Sequence, residues 1–421
     1  MRASERPATT HERPTAIVLC SQVTGLATVR ALASEGVEVL ALVADPKDPL
    51  LLSRYPRQAV VVPQGISESD LTELVCRYAA SMPQKPVLIV TSDARALWLS
   101  RNADTLSQTC RLWSTPYDTL NAIVRKESLY TLAAAAGVPV VQWTRCDDLD
   151  KVEAWSAQHA GPYLVKPSYG ADRPAAAMLQ KNRFCNDAAS LLGFLRSGDS
   201  SSFLVQQLLA GGDGEIFDTY GLCDRHGQVR SISTHRRWRQ FPPNLGTTTF
   251  GEIPANAGAG GDEVMIAQTL TLLAHVRYHG IFGIEWLRDR KTGRYCLIDF
   301  NARPFTSIGH LRDCGVNLPW LSYRDLIGDD LSDVPPYPVL KHRYWLDFHR
   351  DCRSKYDWRH QPHPGMTPPA CPPLWRVSSF AYWDWRDPGP IAQKSIEMVS
   401  SAMRFARACL MAAGRRFGTA E

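Results

Sequence analysis

Apolar residues along this chain fall into short, unbroken runs separated by segments with helical spacing. Ala16 to Cys20, Val37 to Val43 and Val87 to Val90 are continuous apolar stretches, with a weaker one at Val60 to Val62. Gly25 to Glu35 and Asp70 to Ser81 carry helix-period patterns between them, and Gly36 supplies a C-cap. Strands apolar on both faces, alternating with helices, predict a parallel sheet covered by helices. The first turn, Ser21 to Gly25, lacks the G-x-G-x-x-G spacing of a dinucleotide site.

From about Pro116 the pattern changes. Lys126 to Ala136 reads as a helix stopped by Gly137, and strands are expected at Tyr163–Lys166, Phe203–Gln207 and Glu215–Leu222. Asp262 to His279 is helical in spacing, and Ile281 to Arg303 reads as a hairpin. This mixture predicts α+β layers. Four regions follow: a flexible tail over 1–15, an α/β domain over 16–115, a two-lobed domain over 116–335 with lobes of 116–202 and 203–335, and a C-terminal extension over 336–421. That extension contains a Pro-rich loop, Pro362 to Pro373, and a basic amphipathic helix near Ile391 to Phe417. The helix reads as an appendage packed on the main body or as a membrane-surface element.

Composition narrows the class. The 421 residues are 44% hydrophobic and 21% charged, enough to bury a large core. Eleven scattered cysteines, none in a CxxC pair, read as buried thiols of a reducing compartment. No apolar h-region opens the chain and no window is long enough to span a membrane, so a cytoplasmic protein is expected. The net charge is +5, without the clustered excess of a nucleic-acid binder.

The hairpin carries the chemistry. Side chains alternate along a strand, which places Asp299, Asn301 and Arg303 on one face and Ile298, Phe300 and Ala302 on the other. Counting back through a turn near Lys291 and Thr292 sets Glu285 opposite Asp299. Two carboxylates and an amide oxygen form a hard-oxygen set suited to Mg²⁺; the plain alternative is a polar strand face turned to solvent. No GxxxxGK[ST] loop is present, so phosphates would need cations from elsewhere. Lys126, opening a helix, and Lys166, ending an apolar strand before Ser168-Tyr169-Gly170, are the candidates. The run Thr234-His-Arg-Arg-Trp-Arg239 reads as site-facing arginines, an exposed strand face or a nucleic-acid patch. Alternation puts Arg237, Arg239 and Phe241 on one side.

The order of these motifs resembles the ATP-grasp superfamily, from about Ala16 to Gly328. Arg239-Gln-Phe-Pro-Pro243 is similar to a motif of its carboxylate–amine ligase branch, which includes D-aspartate ligase-like proteins. The resemblance implies a parallel-sheet domain, including Ser53-Arg-Tyr55 and Thr91-Ser-Asp93, followed by two ATP-binding lobes. It implies that Lys126 and Lys166 hold the nucleotide phosphates and that Gln206, in place of the family's usual Glu, accepts from the adenine amino group. It also implies that the backbone of Gln207 and Leu209 completes the adenine edge, and that Asp213, or Glu215 as second choice, binds the ribose. Glu285, Asp299 and Asn301 resemble the magnesium set (Mn²⁺ being a substitute), with Asp299 standing where Glu is more frequent. Arg303, Arg237 and Arg239 would neutralise the phosphoryl group, the substrate carboxylate and the oxyanion. The implied reaction activates a carboxylate with ATP as an acyl phosphate for attack by an amine. A bicarbonate-activating carboxylase and a non-catalytic nucleotide-binding module are the alternatives. The implied partners are a small-molecule acid and amine, with neither nucleic acid nor membrane, and with a homodimer allowed. Leu245 to Gly251 reads as a mobile closing loop, and His310 and Tyr169 as lining the acceptor pocket or as ordinary packing.

Overall fold

The structure, a computed structural model, describes residues 13–20, 22–113, 115–168, 182–197, 202–258, 260–360, 368–400 and 403. The apolar runs of the first region form a four-stranded parallel sheet of β1 (Ala16–Cys20), β2 (Val39–Val43), β3 (Gln58–Val61) and β4 (Val87–Val90), ordered β3-β2-β1-β4. The strands β1, β2 and β4 are buried almost end to end, which explains their unbroken apolar sequence. Helices α1 (Gln22–Ala33), α2 (Glu68–Ala80) and α3 (Asp93–Arg101) connect or follow them. Ser67 and Ser92 cap α2 and α3 by accepting from Asp70 N and Arg95 N, each satisfying a first-turn donor.

A second sheet has the order β5-β8-β6-β7, with β5 (Trp143–Arg145), β6 (Tyr163–Pro167), β7 (Arg183–Cys185) and β8 (Phe203–Gln207). Strand β8, expected from sequence to open the second lobe, lies inside this sheet, paired with both β5 and β6. Helix α4 (Lys126–Ala135) precedes it, and its first N–H donates to Ser168 O.

The third sheet has seven strands, ordered β13-β12-β9-β10-β11-β14-β15. They are β9 (Ile216–Cys223), β10 (Val229–Phe241), β11 (Thr247–Ile253), β12 (Gly280–Arg288), β13 (Tyr295–Asn301), β14 (Arg343–Leu346) and β15 (Val377–Phe380). The stretch expected as a mobile loop, Leu245 to Gly251, is mostly β11, hydrogen-bonded on both edges to β10 and β14. Two bulges reset the side-chain alternation. One lies in β10, where Trp238 is the extra residue against β11 (which has its own extra residue, Thr249), the other opposite Glu285 and Trp286 in β13.

The C-terminal segment is part of this core. β14 covers the edge that β11 would otherwise expose. Helix α5 (Phe348–His360) follows, with Asp351, Ser354 and Trp358 buried. Asp387 accepts from Arg30 Nε and Nη2, Ser53 Oγ and Arg54 N, which ties the segment to the first sheet. The helix expected near Ile391 to Phe417 spans 389–400; the calls on 401, 402 and 404–417, on the first half of the Pro-rich loop (362–367) and on Tyr169 lie outside the described residues. The ten described cysteines are all free. Among the described residues no helix is long and apolar enough to cross a membrane.

Candidate functional site

A cavity between the second and third sheets is lined by Lys126, Lys166, Gln206, Leu209, Glu285 and Asp299, among others. Helix α4 begins at Lys126, so the side chain projects from the first turn toward the hairpin, where Nζ meets Asp299 Oδ1 at 2.9 Å. Lys166 is the last residue but one of the buried strand β6, and its Nζ donates to Tyr130 Oη at 2.8 Å. Tyr130 is fixed in turn, donating to Ile298 O at 3.1 Å and standing 3.4 Å from Gln206 Oε1.

The hairpin register pairs Glu285 with Asp299 and Gly283 with Asn301. Glu285 Oε1 accepts from Arg237 Nη2 at 2.6 Å and from Asn301 Nδ2 at 3.0 Å. The neighbouring strand continues the row, since Asp218 pairs with Glu285 across β9–β12 and with His235 across β9–β10. Arg237 bridges two members of the row: its Nε donates to Asp218 Oδ2 at 2.9 Å and its Nη2 to Asp218 Oδ1 and Glu285. Asp218 also accepts from His235 Nδ1 at 2.7 Å.

Burial and charge set the ionisation of these groups. Burial raises Glu285 above the ordinary carboxylate range in spite of Arg237, and Asp299 and Asp218 add to the rise. For Asp299 burial works the same way, yet Lys126 and Lys166 outweigh it and hold the group low. Asp218 is likewise held low, by Arg237 and His235 against burial. Burial and then the charge of Lys126 lower Lys166 to about 7, whereas Lys126 is raised because Asp299 and Glu285 overcome burial.

Several expected ligands are engaged elsewhere. The bulge in β10 puts Gln240, not Arg239, on the cavity side. Arg239 instead donates to both carboxylate oxygens of Asp351, at 2.6 and 2.9 Å, and lies over Phe250. Asp213, expected at the ribose, is buried and accepts from Gln240 N, Gln240 Nε2, Asn244 N and Trp358 Nε1. Its carboxylate shapes the 240–246 turn and has no free face for a ribose. Glu215 pairs with Arg288 at 2.7 Å and Arg290 at 3.1 Å. The side chain of Gln207 donates to Ala160 O and its N–H to Gln142 O, whereas Gln206 and Leu209 line the cavity. Arg303 is occupied by Asp93, Asn301 Oδ1 and Pro304 O. His310 is buried, with Nε2 3.0 Å from Arg343 O. The second bulge turns Ile298 into the cavity beside Asp299, against simple alternation.

Tyr130, Asp218, Gln240 and His235 belong to the site or its support and were not singled out in these roles from sequence. The only signal for Asp218 was its place one strand from Glu285, which becomes visible once β9 and β12 are paired.

The donor set fits a divalent cation carried with phosphates. No cluster of three His, Cys, Asp or Glu side chains forms a complete metal cage among the described residues. Two carboxylates and one amide instead make a partial oxygen shell, of the kind Mg²⁺ completes with water and substrate phosphates. Asn301 brings its Nδ2 to Glu285, and its Oδ1 accepts from Arg303 at 2.9 Å, leaving one lone pair.

No family model and no curated sequence matches the chain. Solved structures do. N5-carboxyaminoimidazole synthetase from Staphylococcus aureus, complexed with ADP, superposes with a TM-score of 0.62 at 13% identity, covering 79% of this chain and 81% of that one. L-amino acid ligase from Bacillus licheniformis gives 0.59 at 15% identity over 78% of each chain. Biotin carboxylase from Campylobacter jejuni gives 0.62 at 13% identity over 80% and 76%. These likenesses, each over more than three quarters of both chains, are likenesses of fold: the chain has the ATP-grasp fold.

Proposed function

We propose that the protein is an ATP-dependent ligase that activates a substrate carboxylate as an acyl phosphate, which an amine then attacks. The observation that carries this reading is the convergence of Lys126 and Lys166 on the Glu285–Asp299 pair in one cavity. The superposed synthetase and amino acid ligase join small molecules by their names, and the former is complexed with ADP, which supports the same chemistry.

Lys126 and Lys166 would hold the phosphates, with Gln206 and Leu209 along the nucleotide edge. Glu285, Asp299 and Asn301 would hold Mg²⁺, which supplies neutralisation of phosphate charge when bound. Arg237, fixed by Asp218, presents its guanidinium beside Glu285 and would stabilise the phosphoryl group or the acyl oxyanion as charge develops. Phosphoryl transfer draws mainly on positioning and electrostatics of this kind. Arg303 would act through Asn301, whose oxygen it binds.

The test is ADP release by purified protein across a panel of acids, each with and without amines. Hydroxylamine should trap a hydroxamate with the correct acid. ADP release dependent on bicarbonate alone would favour the carboxylase reading, and absence of ADP release and hydroxamate with every acid would remove the ligase reading.

A further inference from the structure

The first sheet has a topological switch point. The chain moves outward through β1, β2 and β3 and then returns to place β4 on the far side of β1. In open parallel sheets, ligands bind beyond the carboxyl ends of the strands at such a point. Here those ends are Cys20 and Val90, followed closely by Gln22 and Asp93. Gln22 has φ 44°, a left-handed conformation that costs a non-glycine residue energy and is concentrated at functional sites.

Each of these two residues is met by an arginine from outside the first sheet. Arg303, just past β13, takes both oxygens of Asp93 at 2.8 and 2.9 Å and is saturated by Asn301 and Pro304. Arg350, in the first turn of α5, is bound differently. Its Nη1 donates to Thr247 Oγ1 at 2.8 Å and its Nη2 reaches Gln22 Oε1 at 3.5 Å, both neutral oxygens. Among the described residues the nearest carboxylate oxygen, Asp347 Oδ2, is 3.8 Å from Nε, and that buried oxygen has no hydrogen-bond partner among them. The Arg350 side chain is 29% exposed, so a solute can reach it.

Its location relates it to the cavity. Thr247 follows Gly246, which lines the cavity and whose carbonyl lies 3.5 Å from Arg237 Nη1. Two guanidiniums therefore stand at successive residues of one strand start. Arg237, bound at Gly246 O, is neutralised by Asp218 and Glu285; Arg350, bound one residue beyond that cavity-lining glycine, has only neutral partners at hydrogen-bond distance among the described residues.

We propose that Arg350 is a specificity residue that binds a second anionic group, a carboxylate or a phosphate, on the acid whose first carboxylate is activated in the cavity. The planar fork of an arginine suits either anion, and its bonds to Thr247 and Gln22 are exchangeable for stronger charge-assisted ones. The link to an activated acid rests on the ligase reading; the anion binding itself does not.

The experiment uses the full chain loaded with MgADP and measures binding of four probes by calorimetry: succinate and 3-phosphoglycerate against butyrate and glycerate. Wild type should bind at least one doubly acidic probe tenfold or more tighter than its singly acidic partner, and the two arms separate carboxylate from phosphate. Arg350→Ala should lose that preference, Arg350→Lys should keep part of it, and Thr247→Val, which removes only the guanidinium's anchor, should weaken it. In ADP release the loss should fall on KM for the doubly acidic substrate and leave kcat within about threefold. No preference in wild type, or an equal loss for both classes in Arg350→Ala, overturns the proposal and leaves Arg350 a tether between α5 and the first sheet. If MgADP binds but no acid releases ADP, the ligase reading falls alone, and calorimetry still decides Arg350.

Discussion

The ammonium of Lys126 lies 2.9 Å from Asp299 Oδ1, so the first turn of α4 is tied to the last strand of the hairpin. The same carboxylate is within the charge field of Lys166 and is held ionised by both lysines against its burial. Replacing Asp299 by Asn keeps the shape but removes the negative charge that a cation would share. Losses of about 3 kcal/mol or more accompany removal of such a group from a preorganised site, which is about a hundredfold in kcat. Steady-state ADP release should show that drop together with a higher Mg²⁺ requirement. Turnover within threefold of wild type would falsify the role given to Asp299.

The phosphate-binding role proposed for Lys166 predicts a nucleotide affinity that depends on pH. Burial and Lys126 bring its pKa from the ordinary 10.5 to about 7, so above pH 7 the free protein holds it mostly neutral. Phosphates favour the charged form, and binding must therefore take up a proton. The MgADP affinity should fall by about tenfold per pH unit above 7, and Lys166→Gln should flatten that dependence. The same depression acts on folding. Between about pH 7 and 10.5 the unfolded chain binds a proton the native state does not, so this group makes stability rise with pH across that window. Calorimetry in buffers of different ionisation enthalpy reads the proton uptake directly, and no uptake at pH 8 would remove the assignment.

Asp213 separates a structural from a nucleotide role. Its two oxygens accept four hydrogen bonds from Gln240, Asn244 and Trp358, and burial raises its pKa even so. Asp213→Ala would leave buried donors without partners, at about 2–4 kcal/mol. The thermal midpoint should drop by several degrees. A ribose ligand would behave in the opposite way, with an intact midpoint and a raised KM for ATP.

What the sequence disclosed follows from the range of the interactions involved. Glu285 and Asp299 could be set opposite each other because a short turn fixes the count between them, and the structure pairs them. Lys126 and Lys166 stood out because one opens a helix and the other ends a buried strand. Alternation alone puts Arg239 beside Arg237, and the bulge that turns it toward Asp351 has no periodic signature, since one extra residue reverses every side chain after it. The structural role of Asp213 is hidden from local sequence because its partner Trp358 is 145 positions away. The C-terminal strands are four residues each and take their order from the edge of β11, so no local pattern announces them.

Arg239 and Asp351 give the sharpest contrast with Arg237. Both arginines are buried and paired, yet Arg239 joins β10 to α5 and lies outside the cavity. Breaking such a buried pair from one side costs about 3–5 kcal/mol, because the remaining charge is left without compensation. Arg239→Met should therefore lower the thermal midpoint strongly, and adding Asp351→Leu should recover much of the loss by removing the orphaned carboxylate. Lys355, 3.1 Å from Asp351, limits the penalty and sets the recovery short of complete. Arg237→Met should lose stability as well, because Asp218 and Glu285 are left without their cation, but unlike Arg239→Met it should also lower kcat by about a hundredfold, since its guanidinium faces Glu285. Thermal melts and ADP release on the two variants check both halves. If Arg239→Met kept its stability but lost kcat as Arg237→Met does, the bulge would not be what divides their roles.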